Sequence, residues 1–171
     1  MLISQQINAA LNEQIGHEFS ASLQYVAIAA YFDLDSLPEL AKYFYRQAEE
    51  ERMHAMKFVK YVVDADGQVE IPALPQAQSQ FGSAAEAVQK ALDGEMMVTR
   101  QINALVDMAI KEPDHTTHNI LQWFVTEQLE EVSTMDTLLR IVQRAGEQNL
   151  LLVEEYIARN SPQNGAAAEA T

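Results

Sequence analysis

Glu51-Arg52-Met53-His54 sets a carboxylate and an imidazole three residues apart. On a helix such a pair lies about 60° apart in projection, one turn along the same face, where both groups can reach one metal ion. Two helices bearing such pairs, with one Glu from each of two others, build a di-iron carboxylate site in a bundle core. A single Glu-x-x-His is weak by itself; its weight comes from what stands in step with it. Glu18 precedes Glu51 by 33 residues, and Glu95 precedes Gln128 by the same 33. His54 follows Glu51 as Glu131 follows Gln128. The chain therefore reads as a pseudo-repeat, Glu18/Glu51/His54 and then Glu95/Gln128/Glu131, which a pseudo-twofold bundle brings to one depth.

The two halves differ chemically. The first offers two carboxylates and an imidazole, a strong donor set for Fe²⁺. In the second, an amide replaces a carboxylate. Glu95 would hold a second metal with a bridging Glu51, while Gln128 supplies a neutral oxygen or orients a water or oxygen species. Glu131, one turn on, is placed to swing toward that metal. Unequal affinities follow. Tyr25, seven residues after Glu18, shares its face and can hydrogen-bond a ligand or donate an electron; a packed core tyrosine fits the spacing equally well. Glu50 and Glu127 correspond under the 33-residue step and, with Glu130, make a third carboxylate cluster beside the first. All-oxygen donors suit Fe³⁺; a solvated acidic helix face is the alternative.

These residues need long helices to position them, and the apolar periodicity supplies them. Helices are expected over about 4–32, 37–66, 83–111 and 114–145, with a short fifth over 149–159. Ile7, Leu11, Ile15, Phe19, Ser22 and Val26 mark the inward stripe of the first. Ser36-Leu37-Pro38-Glu39 and Ser83-Ala84-Ala85-Glu86 read as capping boxes, and Gly67 and Gly146 as stops. The turns at Leu34–Ser36 and Glu112–Pro113 are short, so helices 1–2 and 3–4 form antiparallel hairpins. Residues 67–82 lack helical period, and 16 extended residues reach about 53 Å, past the ~42 Å of a 28-residue helix. That fits an all-α four-helix bundle with one long crossover and helices 2 and 3 parallel. One domain is expected over 1–160, with 161–171 a small, polar, disordered tail. The methionines read as core filler.

Composition narrows the function classes. The 171 residues carry a formal net charge of −14. Phosphates repel such a surface, so nucleic acid and anionic membranes are excluded as partners and cations favoured. Zero cysteines exclude disulfides, thiolate zinc sites and iron–sulfur clusters. No signal or spanning segment is visible, which makes a cytoplasmic protein the expectation.

The segments HEFSASLQYVAIAAYF, LPELAKYFYRQAEEERMHAMKF and LQWFVTEQLEEV resemble those of bacterial non-haem ferritins. The resemblance spans roughly residues 4–160 and includes the linker and the short last helix. It implies a hollow homo-oligomeric shell of 24 subunits that oxidises Fe²⁺ with O₂ or H₂O₂ at an intra-subunit di-iron centre and stores ferric mineral. It implies that Glu18, Glu51 and His54 hold the first iron and Glu51 with Glu95 the second. Gln128, Glu131 and Tyr25 would stand beside them, and Glu50, Glu127, Glu130 and Glu131 would form a third iron site. Bacterioferritins are the nearest rival. They carry a haem-ligating Met directly after the Glu of Glu-x-x-His, where this chain has Arg52, and Glu and His where it has Gln128 and Glu131. No haem is therefore expected. The alternatives are a haem-binding shell of that type and a non-catalytic acidic bundle that binds cations.

Overall fold

The computed structural model describes residues 2–160; the tail expected to be disordered lies outside the described residues. The chain folds into helices α1 (Gln5–Leu34), α2 (Pro38–Asp64), α3 (Ala84–Lys111), α4 (His115–Ala145) and α5 (Leu150–Asn160), with a 3-10 turn at Glu147–Asn149. No strand occurs among the described residues. None of these helices is long and apolar enough to cross a membrane.

Residues 65–83 run the whole length of α1 as an extended strap. Asn8 exchanges side-chain hydrogen bonds with the backbone of Gln68, and Asn12 bonds Gln68 O and Glu70 N, both at 2.8 Å. Gly16 lies under Pro72, where a Cβ would meet the proline ring at 2.4 Å. Gln24 bonds both backbone groups of Gln78, and Tyr31 meets Phe81 edge to face at 5.3 Å. The strap thus leaves α2 near the start of α1 and delivers α3 near its end. Helix α3 therefore runs antiparallel to α1 and parallel to α2, the expected long crossover.

The helix ends differ from the sequence expectation in two places, the start and the stop of α2. Ser36 adopts a positive φ of 59° and Leu37 takes the N-cap position of α2 without a side-chain bond. The capping carboxylate comes from α5 instead: Glu154 accepts from Glu39 N at 2.9 Å and Leu40 N at 2.8 Å. Ser83 does cap α3, accepting from Glu86 N at 3.0 Å, while Glu86 accepts from Gly82 N. Glu147 adds a second cap at Ala84 N. Asp114 caps α4 through Thr116 N and Thr117 N. Helix α2 stops at a left-handed Asp66 rather than at Gly67, and Gly146 ends α4 with a φ of 73°.

The apolar core is split in two. One cluster joins Ile28, Phe32, Phe44, Val88, Met135 and Leu139 with α5; the other joins Ile7, Leu11, Ile15, Phe58, Ile102 and Phe124. Between them a polar belt crosses all four long helices. Val26 lies outside the core, 42% exposed; Ile28, Ala29 and Phe32 continue the stripe instead. The methionines are not core filler as a class: Met135 is buried, but Met53, Met56, Met96 and Met97 are exposed.

Candidate metal centre

The polar belt holds Glu18, Glu51, His54, Glu95, Gln128 and Glu131, all buried, between the two apolar clusters. Glu18 comes from α1, Glu51 and His54 from α2, Glu95 from α3, and Gln128 and Glu131 from α4. Each hairpin sends its set of residues inward, and Gln47–Glu131 and Gln128–Glu95 hydrogen bonds join the helices at this belt.

Glu18, Glu51 and His54 each offer a ligand atom within 4.8 Å of the others. His54 Nδ1 lies 3.5 Å from Glu51 Oε2. Glu18 Oε2 and Glu51 Oε1 are buried with no hydrogen-bond partner. A buried carboxylate oxygen without a donor is costly, and it invites either a proton or a cation. Burial pushes the Glu18 and Glu51 carboxyls well above the ordinary range, helped for Glu18 by the charge of Glu51 and for Glu51 by that of Glu95. Burial also raises Glu95, against the lowering hydrogen bonds from Tyr25 and Gln128. Glu131 is raised to about 8 by burial and then by the charges of Glu95 and Glu50. Without metal, the belt thus holds protons, which a divalent cation would displace.

Tyr25 donates its hydroxyl to Glu95 Oε1. Gln128 Nε2 donates to the other oxygen, Glu95 Oε2, at 3.0 Å and to the Glu95 carbonyl at 3.2 Å. Gln128 thus orients the Glu95 carboxylate, a contact the sequence did not suggest. Burial, then the charge of Glu95, raises the Tyr25 hydroxyl pKa and keeps it protonated as a donor.

A second group forms on the other ring nitrogen of His54. His54, Glu127 and Glu131 offer ligand atoms within 4.8 Å of one another, with His54 Nε2 3.7 Å from Glu127 Oε1. Glu50 is half-buried at its edge, 3.9 Å from Arg46, and its pKa is raised by burial. Glu130 is exposed and is not among the residues brought together.

The sequence reading missed two positioning residues. Buried Gln14 donates to Glu18 Oε1 at 2.8 Å, and buried Gln47 donates to Glu131 Oε2 at 3.0 Å. They are themselves 33 residues apart, one turn before Glu18 and Glu51, so the step that picked out the candidate ligands could have picked them out too. Trp123 and Phe124 hold the His54 ring edge to face at 5.4 and 6.1 Å.

Bundle, crossover and carboxylate belt together define a helical-bundle protein with a buried carboxylate–histidine cluster that could hold a metal ion. A family model described as a ferritin-like domain matches residues 8–145. The ferritin BfrB of Mycolicibacterium smegmatis is 47% identical over 161 residues, covering 94% of this chain and 88% of that one. The bacterial non-heme ferritin of Staphylococcus haemolyticus is 35% identical, covering 94% and 98%. The crystal structure of an open-pore ferritin from Archaeoglobus fulgidus superposes with a TM-score of 0.88 at 34% identity, covering 91% of this chain and 97% of that one. The chain belongs to the ferritin family of iron-storage proteins.

Proposed function

We propose that this protein is a non-haem ferroxidase and that its subunits assemble into a 24-subunit shell that stores ferric mineral. The observation that carries the reading is the buried Glu18/Glu51/His54 triad with two carboxylate oxygens lacking any donor. Fe²⁺ is the substrate. Glu18, Glu51 and His54 Nδ1 hold the first ion, and Glu51 with Glu95 the second. Two Fe²⁺ give one electron each; O₂ takes both with two protons and leaves as H₂O₂, or H₂O₂ takes both with two protons and leaves as two waters. Tyr25 and Gln128 fix Glu95 for this, each on a different oxygen. Glu127 and Glu131, with Glu50 at their edge and Glu130 adding charge outside, serve as a third, outward iron site; with Nδ1 on the first iron, His54 turns its Nε2–H side toward Glu127 and is not a ligand there. The functional domain spans 1–160, and the working compartment is the cytoplasm.

Arg52 supports the haem-free reading. Its guanidinium is exposed and held by both oxygens of Glu49 at 2.6–3.0 Å. The test is stopped-flow oxidation of Fe²⁺, with shell assembly followed by sedimentation. Glu18→Ala and His54→Ala should abolish the fast phase while leaving the shell intact. Unchanged initial rates would overturn the assignment, and Fe²⁺ binding without coupled oxidation in the unsubstituted protein would make it a passive cation binder. A Soret band after haem reconstitution would favour the haem-binding alternative.

A further inference from the structure

The centre has two unlike sides. On the α2/α4 side stand Glu50, Glu127 and Glu130, an acidic approach suited to a cation. On the opposite side, a cleft of about 330 Å³ opens between α1, α3 and residues 75–77 of the strap. Tyr25 and Glu95, the hydrogen-bonded pair, line it at its deep end, 2% and 1% exposed. Ala21, Ala91, Val98 and Pro75 contribute small or apolar walls. Around them Lys90 offsets Asp93, which is already occupied by Gln89 at 2.9 Å. In a chain of net charge −14 this lining carries no concentration of negative charge to attract a dication. Gly94 also lines the cleft, and a Cβ built there meets nothing within 4 Å. Gly94 is exposed, so a side chain added there has room at the mouth of the cleft, in the turn that carries Glu95.

We propose that this cleft is the route by which the oxidant, a small uncharged molecule such as O₂ or H₂O₂, reaches the centre, separately from the acidic side that takes up iron. The inference rests on the ferroxidase reading and adds a direction to it: the cation meets Glu51 and His54 from α2/α4, and the oxidant meets the Tyr25–Glu95 pair from α1/α3. Burial of that pair forms the floor; the apolar part of the wall suits O₂, which loses no hydrogen bonds on entry, and Ser20, Gln24 and Gln101 in the same lining offer hydrogen bonds to H₂O₂.

The test plugs the cleft from two walls, with Gly94→Phe on α3 and Ala21→Phe on α1. Fe²⁺ is bound first without oxygen, and the loaded protein is then mixed with O₂ in one arm and H₂O₂ in the other. Both variants should slow oxidation of preloaded Fe²⁺ by about tenfold or more with at least one oxidant, because a blocked gate limits arrival rather than chemistry. Anaerobic Fe²⁺ binding should keep its rate and stoichiometry. Oxidation of preloaded iron at the parental rate in both arms would overturn the proposal, whether or not Fe²⁺ binding slows; slower binding would mark the cleft as a cation route. Should the variants fail to assemble, xenon-pressurised crystals of the unsubstituted protein decide the matter: xenon seated in the cleft supports the route, and an empty cleft refutes it. Absence of any oxidation in the unsubstituted protein would sink the ferroxidase reading itself, and this one with it.

Discussion

Gln47 on α2 donates its side-chain amide to Glu131 on α4 at 3.0 Å, across the centre of the bundle. The bond ties the hairpin that carries Glu51 and His54 to the hairpin that carries Gln128. It also holds Glu131 beside His54 and Glu127. Gln47→Leu removes the donor and leaves a buried carboxyl short of a partner, costing about 1–3 kcal/mol of iron-free stability. It should also lower iron occupancy at the outward Glu127/Glu131 site while leaving the first, fast oxidation largely intact. Anaerobic Fe²⁺ titration and denaturant unfolding read the two effects separately. Equal loss at both sites would mean that Gln47 supports the whole belt rather than Glu131.

The proton held by Glu131 gives the iron-free protein an unusual pH dependence. Its folded carboxyl is raised to about 8 from an ordinary 4.5, chiefly by burial. The folded state therefore binds a proton that the unfolded chain releases. This contribution to stability is fully present below about 4.5 and is lost as pH rises through about 8, at up to about 1.4 kcal/mol per pH unit for one proton. Glu18 and Glu51, raised in the same direction, add to the slope. Melting temperature of the metal-free protein should fall between pH 5 and 8, and Glu131→Gln should flatten the fall. Anaerobic Fe²⁺ binding in this range should release protons, measurable with an indicator dye.

Some of this was readable in the chain and some was not. Helix number, the crossover and the ligand level followed from apolar period and the 33-residue step, because both depend on local spacing that a helix converts directly into geometry. Caps depend on what else comes near. Ser36 has the right type and spacing, yet Glu154, 118 residues further on, takes the α2 N-terminus. Glu130 had the right charge and lay next to Glu131, but a one-residue step turns a helical side chain by ~100°, and it faces out. Gln14 and Gln47 obeyed the step, but an amide carries no obvious chemistry until the carboxylate it orients is known.

The Glu154 cap makes α5 part of the bundle rather than an appendage. Glu154 is buried and satisfies two N–H groups at the positive end of α2. Glu154→Ala should cost about 1–2 kcal/mol, the usual range for a lost cap strengthened by the helix dipole. Thermal unfolding measures the loss. Hydrogen exchange should show the Leu40 amide losing protection before amides in the middle of α2; uniform loss would point to a general effect instead.

The strap makes a separate prediction at Gly16. A side chain there normally favours a helix by about 0.5–1 kcal/mol over Gly. Here a Cβ would meet the Pro72 ring at 2.4 Å, and an overpacked contact costs about 1–3 kcal/mol. The clash outweighs the propensity. Gly16→Val should lift the strap, exposing residues 70–74 to protease, with little change in the secondary structure of α1. Limited proteolysis checks it, and an unaltered cleavage pattern with raised stability would show that Pro72 moves freely.

Glu127 and Glu130 separate a site role from a surface role. Glu127 sits 3.7 Å from His54 Nε2 and shares a group with Glu131, whereas Glu130 is exposed. If the outward iron site is built as proposed, Glu127→Ala should remove its iron and slow later turnovers by several-fold, since one of its few carboxylate donors is lost. Glu130→Ala should change only the ionic-strength dependence of iron uptake, because a solvated charge acts through a field that salt screens within about 8–10 Å. Multi-turnover oxidation at low and high salt distinguishes them. A loss with Glu130→Ala that persists in high salt would mean that its side chain turns inward to bind iron directly.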